Sequence, residues 1–374
     1  MKWMLTTIVA VFCMTLVAVA QDDAVIETTF RGTVTHSGVY NSSAVRVQPT
    51  LLWQYQISRP ARTSAAVTES NVYVGSENGT LYAIDRLTGD LNWEFSTDAP
   101  IVSTAAVVDG VLYVGGLDRR IYALDAATAE MIWETVTDGE IYASPTIVDS
   151  RLYIGSRDNN IYALDIETGA ILWQFDTGGE VWSSPAVVDN VVYVGSRSND
   201  LFALDATTGT VIWRYETGGG IDSSPAVIDN IVYFASYDGL AYALDAASGE
   251  SVWMSELGSQ SYSSPAVTED RVYFNTMGGY LYALDIVSGD IQWQFEIGSP
   301  AYSSPSYAGS VIYTLSEFEG LMYGLDADTG TELWRYQTGR QGDYRSASPV
   351  LYDGTLYISS NSEGVIALSG SSAP

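Results

Sequence analysis

The residues able to carry chemistry in this chain are few. Its 374 residues hold one histidine (His36), one lysine (Lys2) and one cysteine (Cys13), against forty-five carboxylates and fifteen arginines. That inventory rules out a Schiff base, a thiolate pair and a multi-histidine metal site in anything that begins after the first twenty residues. His36 sits in "FRGTVTHSGVYNSS", ahead of any regular pattern. It reads as a locally packed or solvent-exposed residue, because a general base needs a positioned partner. The stretch "RDNN", Arg157 to Asn160, offers oxygen ligands for calcium, but EF-hand spacing is absent and turn formation explains the same residues. No nucleophile, base and acid can be assembled into a set. Paired carboxylates of the glycosidase kind remain open among so many acids.

A different group stands out by varying inside an otherwise regular sequence. Prolines recur at 145, 185, 225, 265, 305 and 349. Three residues before each, and at the matching places in two earlier units, stand Arg62, Val102, Tyr142, Trp182, Asp222, Tyr262, Tyr302 and Ser346. Four aromatics with one Arg and one Asp could stack a flat group, a sugar or a peptide side chain, and orient it by charge. The last unit is longer and adds Arg340, Asp343, Tyr344 and Arg345, of which Tyr344 and Arg345 join this candidate set. The same aromatics would equally serve to cap strands and fill a narrow channel.

The elements that must position these residues come from a repeat. Tryptophan occurs at 53, 93, 133, 173, 213, 253, 293 and 334, six intervals of forty and one of forty-one, a period typical of propellers and solenoids. One unit, "SSPAVVDNVVYVGSRSNDLFALDATTGTVIWRYETGG", contains four strand-like runs. The first two are joined by Asp189-Asn190, a two-residue hairpin turn, with Asp109-Gly110 and Asp353-Gly354 in the same place elsewhere. Four short antiparallel strands per unit make a blade, and eight units make an all-β, eight-bladed β-propeller. Inner strands begin and second strands end on one face, so the variable octet should ring one mouth of the central channel. The chain ends on "GVIALSG", a third strand without a fourth, and the missing strand is "LLWQYQ" around Trp53. Pairing the two closes the ring. Within a blade, apolar residues on both faces of the outer strand, such as Ile171 and Leu172, are expected to pack against neighbours. Small Ala at the third strand is expected to admit a neighbouring indole. Ala129, where other units have glycine, should hold a strained turn.

The recurring skeleton A-x-D-x-x-[TS]-G-x-x-x-W, seen in "YALDIETGAILW", is complete in five units and nearly so in two. It resembles the PQQ-like, quinoprotein-type propeller repeat family, over about residues 51 to 369. The eight tryptophans are that family's docking residues. The resemblance to its dehydrogenases implies a quinone (PQQ) with calcium in the axial pocket, a tryptophan floor for which Trp182 is available, and a vicinal disulfide. This chain cannot form the disulfide, and its forty-residue register leaves no room for the long insertions that build such a pocket. The likeness is nearer to the non-catalytic branch of BamB-like outer-membrane protein assembly factors, which implies an interaction scaffold with no cofactor.

The first twenty residues, a lysine followed by an apolar run and Ala18-x-Ala20, read as a signal peptide cleaved after Ala20. Lipid attachment would need a cysteine at the cleavage point, and Cys13 is not there. The expected product is secreted, periplasmic or cell-surface, with a strongly acidic balance (net −29 for the whole chain) that disfavours nucleic acid and anionic membranes. The expected division is an N-terminal extension over 21–50 lying outside the ring or dangling, the propeller over 51–369, and a tail over 370–374. The leading expectation is a monomeric binding scaffold contacting an envelope protein or a small aromatic or sugar ligand. A PQQ-dependent alcohol dehydrogenase-like enzyme and a glycan-binding module are the alternatives.

Overall fold

In the computed structural model, which describes residues 26–339 and 347–370, the chain forms eight antiparallel blades around an axis. Blades 1 to 7 run in order from Ala66–Ser96 to Ser306–Gln337. Blade 8 combines Val350–Tyr352, Thr355–Ser360 and Gly364–Ser369 with the early strand Thr50–Tyr55. That last pairing has Thr50 opposite Ser369 and Trp53 opposite Ala367, so the two ends of the propeller share one blade as expected. The inner hairpins turn through two left-handed residues, as at Asp189 (φ 49°) and Asn190 (φ 62°), which suits the twist of the flanking strands. The core is divided into eight apolar layers, each between two adjacent blades. Among the described residues no helix is long and apolar enough to cross a membrane.

Seven of the eight motif tryptophans dock onto the next blade. The indole N–H of Trp173 donates to Ala206 O at 3.0 Å, and Trp53, Trp93, Trp133, Trp213, Trp253 and Trp293 reach the equivalent carbonyl, one residue past the motif aspartate, at 2.9–3.1 Å. A tyrosine of the second strand often shares that acceptor: Tyr153 Oη also donates to Ala206 O at 3.1 Å. The indole lies on the motif glycine of the next blade. A Cβ on Gly209 would come within 2.6 Å of Trp173. The expectation for the third-strand alanine is therefore corrected: it pairs across the strand with the tryptophan of its own blade, as Ala163 does with Trp173, and glycine receives the neighbour's ring. The expectation for the outer strand is corrected too. The ladder shifts register between Ile171 and Trp173, and both Ile171 and Leu172 face solvent.

The segment before the first blade is inside the ring, not outside it. Ile26–Thr28 pairs antiparallel with Ala106–Val108 of blade 2, running from the hairpin-turn face towards the other mouth. Arg31 (φ 59°) and Gly32 (φ 84°) reverse the chain. It then returns with the carbonyls of Val34, Thr35, Ser37 and Gly38 accepting the inward amides of Val187, Val227, Val267 and Tyr307 in blades 4 to 7. The result is a finger that plugs the channel. Buried Arg31 donates to Pro265 O and Pro305 O. His36, also buried, has its Nε2 at 3.0 Å from Thr146 Oγ1 of blade 3.

The finger then leaves between blades 7 and 8, where the N–H of Trp334, the last motif tryptophan, donates to Val45 O at 2.7 Å in place of a turn carbonyl. Val45 N donates in turn to Tyr313 Oη at 2.7 Å. Here the third-strand residue is Gly324, and a Cβ on it would meet the Trp334 ring at 2.3 Å. The departure from alanine makes room for this indole.

Two outcomes follow for stability. Gly169 holds φ 70° under the Trp133 ring, with a Cβ position 2.6 Å from it, so Gly169→Ala should destabilise by about 2–4 kcal/mol through backbone strain and overpacking. Ala129 already has φ 64°, and Ala129→Gly should stabilise by up to about 1 kcal/mol. Urea denaturation checks both signs. Burial, and then the charge of Arg31, depress the His36 pKa from 6.5 to about 3. The unfolded chain binds a proton that the folded chain refuses, so stability is complete above pH 6.5 and declines as pH falls towards 3. At pH 5 the loss should be about 2 kcal/mol, and a His36→Gln variant should show a flatter profile between pH 7 and 5.

Candidate functional site

The mouth opposite the hairpin turns opens into a cavity of about 560 Å³. Its walls are set by two positions of the repeat. The deeper ring comes from the second serine of "SSP" and its equivalents, Ser64, Thr104, Ser144, Ser184, Ser224, Ser264, Ser304 and Ser348. These residues belt the blades together. Ser144 N donates to Ser184 Oγ at 2.8 Å, Ser184 N to Ser224 Oγ at 2.9 Å, and the relay continues to Ser348 N on Ser64 Oγ at 2.9 Å. The shallower ring is the variable set. Arg62, Val102, Tyr142, Trp182, Asp222, Tyr262 and Tyr302 all line the cavity, each at the start of its inner strand. Ser346, Tyr344 and Arg345 lie outside the described residues, as does the proposed signal peptide. Phe30, at the tip of the finger, also lines the cavity, so the channel is blind at its base.

Charge at the rim is arranged as an alternating chain over blades 3 to 5. Arg157 contacts Glu140, and its Nη2 lies 2.9 Å from Glu180. Glu180 meets Arg197 Nη1 at 3.0 Å, and Arg197 forks onto Asp222 with Nε at 2.9 Å and Nη2 at 2.7 Å. Tyr237 donates to the same Asp222 carboxylate. Hydrogen bonding to Asp222 raises the Arg197 pKa above its already high value. Burial, then the Asp222 charge, push the Tyr237 phenol well above its usual range. Burial opposes ionisation of Glu180, but hydrogen bonds from Arg157 and Trp182 outweigh it and hold its pKa below the ordinary carboxylate value. Each arginine of this chain is thus shared between two carboxylates, Arg157 between Glu140 and Glu180, Arg197 between Glu180 and Asp222. Arg62 is paired similarly, with Nε 2.6 Å from Glu77.

The aromatics divide into two groups. Trp182 stacks on Tyr142 with ring centroids 4.0 Å apart and carries the Arg197 guanidinium 3.9 Å from its centre. Two groups so close to one ring cannot share a face, so both faces of the indole are covered, and its N–H donates to Glu180 at 2.9 Å. Tyr262 and Tyr302 sit together on the opposite arc, 5.3 Å between centroids, and Tyr302 is 41% exposed. Between them and the floor lies Glu317, buried with only 1% of its surface exposed, whose carboxylate accepts Ser303 N at 2.6 Å and also Tyr302 N.

Sequence reading missed Phe30; it set the loops "SRSND", "SYDGL" and "SEFEG" around this mouth without singling out their Arg197, Tyr237 and Glu317. The last three occupy one repeat position, with Glu77 and Arg157 in the same place, and it varies from blade to blade as much as the octet does. Comparing that position across units would have found them. Phe30 carries no such signal. Asp158, in the stretch considered for calcium, is occupied with the Tyr162 hydroxyl at 2.9 Å and the amides of Asp138, Gly139 and Asn160. Among the described residues no group of three or more His, Cys, Asp or Glu is placed to hold a metal ion.

A family model described as outer membrane protein assembly factor BamB matches residues 41–138, 102–216, 175–262 and 238–373, which overlap to cover the whole propeller. The chain belongs to that family. Among solved structures, BamB from Moraxella catarrhalis is 21% identical with a TM-score of 0.75, over 86% of this chain and 99% of its own. The computationally designed Ika8 protein is 18% identical (TM-score 0.76, 85% and 98%). The quinohemoprotein alcohol dehydrogenase from Comamonas testosteroni is 17% identical (TM-score 0.79, 93% and 81%). At these identities the likeness is one of fold. Comparison with curated protein sequences gave no match.

The fold shared with a quinohemoprotein enzyme makes the fit of a quinone and calcium a fair question for this BamB-family cavity. The residues present do not fit it. Trp182 has no free face to serve as a floor, and the rim carboxylates Glu180 and Asp222 are committed to arginines. The covering of Trp182 can be tested directly. Arg197→Ala should increase acrylamide quenching of tryptophan fluorescence, and the increase should vanish when the substitution is made in a Trp182→Phe background.

Proposed function

We propose that this protein is an exported, non-catalytic binding scaffold of the BamB family, and that the mouth cavity is where it meets its partner in the cell envelope. One observation carries the reading. The seven described members of the variable ring line a single blind cavity whose arginines are each paired with carboxylates, leaving Tyr262 and Tyr302 as the available aromatic surface. Acid–base chemistry needs a group poised between protonation states near working pH, whereas Glu180, Arg197 and Tyr237 are all driven away from that condition. A preformed, self-satisfied rim around exposed aromatics is what partner recognition needs, because little has to be desolvated without compensation on binding.

The family's description as an outer-membrane assembly factor supports a protein partner over a free sugar. The leader-like first twenty residues support export. In this reading the propeller works without PQQ or calcium and binds neither nucleic acid nor lipid.

The test compares cross-linked partners recovered from envelope extract by the wild-type protein, by Trp182→Ala/Tyr262→Ala, and by Leu172→Ser on the outer rim. The mouth variant should lose at least tenfold in recovery of the main partner while the rim variant retains it. Equal recovery by all three would remove the mouth from the proposal. Dye-linked alcohol oxidation after incubation with PQQ and calcium should stay at background, and turnover would reverse the ranking.

A further inference from the structure

The finger does more than close the channel, because it shows how this ring binds an extended chain. In every inner strand the second residue turns its N–H and C=O away from its own blade and towards the axis. Finger carbonyls accept these amides in blades 4 to 7, and Tyr40 N donates back to Tyr307 O. Blade 2 is paired by Ile26–Thr28, and blade 3 is met by the His36 side chain. Blades 8 and 1 are touched by the side chains of Tyr40 and Ser42, but among the described residues their inner strands receive no backbone hydrogen bond from the finger. There the equivalent residues are Leu351 and Val67, whose strands pair only with Thr355–Ser360 and Asn71–Gly75 of their own blades. Their axial amides have no partner among the described residues.

Both strands border a second cavity of about 560 Å³ on the hairpin-turn face, between the two limbs of the finger and the inner edges of blades 8 and 1. Unpaired inner edges beside a groove form a template for strand addition. The rim is acidic: Glu27, Glu69 and Asp353 line it against one cation, Arg86. Arg86 is held over the Tyr352 ring at 4.9 Å with its Nε donating to Glu69 O, and no ion pair neutralises the three acids among the described residues. That charge selects the occupant. The residues that precede the finger in sequence, "QDD", are acidic themselves and would be repelled.

We infer that this notch docks an extended, lysine- or arginine-bearing segment of a partner protein, which pairs with the inner edges of blades 8 and 1 as residues 34–38 pair with blades 4 to 7. The site lies on the face opposite the mouth and stands independently of the function proposed above. Alternate side chains of the added strand would face the acidic rim, and its backbone would supply the missing carbonyls and amides.

The probe is a fluorescein-labelled six-residue peptide alternating lysine with valine or threonine, followed by anisotropy against the full mature protein. Saturable binding is expected, at least tenfold weaker with Glu69→Lys/Asp353→Asn, and weakened as much when alternate peptide amides are N-methylated. Trp182→Ala/Tyr262→Ala should leave it unchanged. Circular dichroism confirms that each variant is folded. Absence of binding, or equal binding by the N-methylated peptide, would overturn the inference. The second result would reduce it to unspecific charge attraction.

Discussion

One backbone carbonyl in each of blades 1 to 7, that of the residue after the motif aspartate, is the point on which the wheel depends. An indole from the preceding blade reaches it, often with a tyrosine hydroxyl alongside, and the ring of that indole rests on the glycine three residues further on. The aspartate holds the turn in shape by accepting its amides, as Asp165 does from Thr168. The contact is directional, since the acceptor must sit where the neighbour's donor arrives, so it fixes blade spacing more tightly than apolar packing alone. Desolvation makes it costly to lose: a buried carbonyl or indole N–H left without its partner is penalised by about 1–3 kcal/mol. The serine belt near the axis repeats the same logic at smaller radius. Between them, these two kinds of polar contact bracket most of the apolar layers, and the mouth residues take part in neither.

That freedom explains why the mouth varies while the blades do not. A side chain at the start of an inner strand points into the cavity, so Asp222, Trp182 and Tyr302 can replace one another in sequence without disturbing the sheet. What they do depends on neighbours from the next blade, because residues forty apart in sequence stand side by side at the rim. The alternation Glu140, Arg157, Glu180, Arg197, Asp222 is a product of that adjacency. Interleaved cations shorten the reach of the field from those carboxylates, which sets the mouth apart from the strongly acidic remainder of the molecule.

The repeat made most of the fold legible. Spacing of the tryptophans, the Asp-Asn and Asp-Gly hairpins, and the orphan strand around Trp53 were enough for blade number and closure. The octet was legible as a ring because the geometry of an inner strand follows from its place in the unit. What stayed hidden was everything contributed by sequence that does not repeat. Nothing in "FRGTVTHSGVYNSS" announces that Phe30 floors a cavity or that Arg31 and His36 are buried, since the finger borrows its hydrogen-bonding partners from blades far along the chain. The outward-facing Ile171 and Leu172 were misjudged for a local reason: a register shift in the outer strand breaks the simple alternation from which their burial was inferred. Gly324 looked like a minor departure because its reason, the Trp334 ring, is visible only when the two are brought together.

The use of Val45 as the partner of Trp334 and Tyr313 ties the start of the propeller to its last blades. Because the segment that completes the interface of blades 7 and 8 is synthesised first and its receptor last, it has to wait until Trp334, 289 positions further on, has been made before it can seat. Contacts of such sequence separation form late and slowly. During that interval the half-built ring presents open strand edges and an empty axle hole, a state in which chaperoning has most to offer and in which premature cleavage beyond Val45 would leave a wheel that cannot be locked.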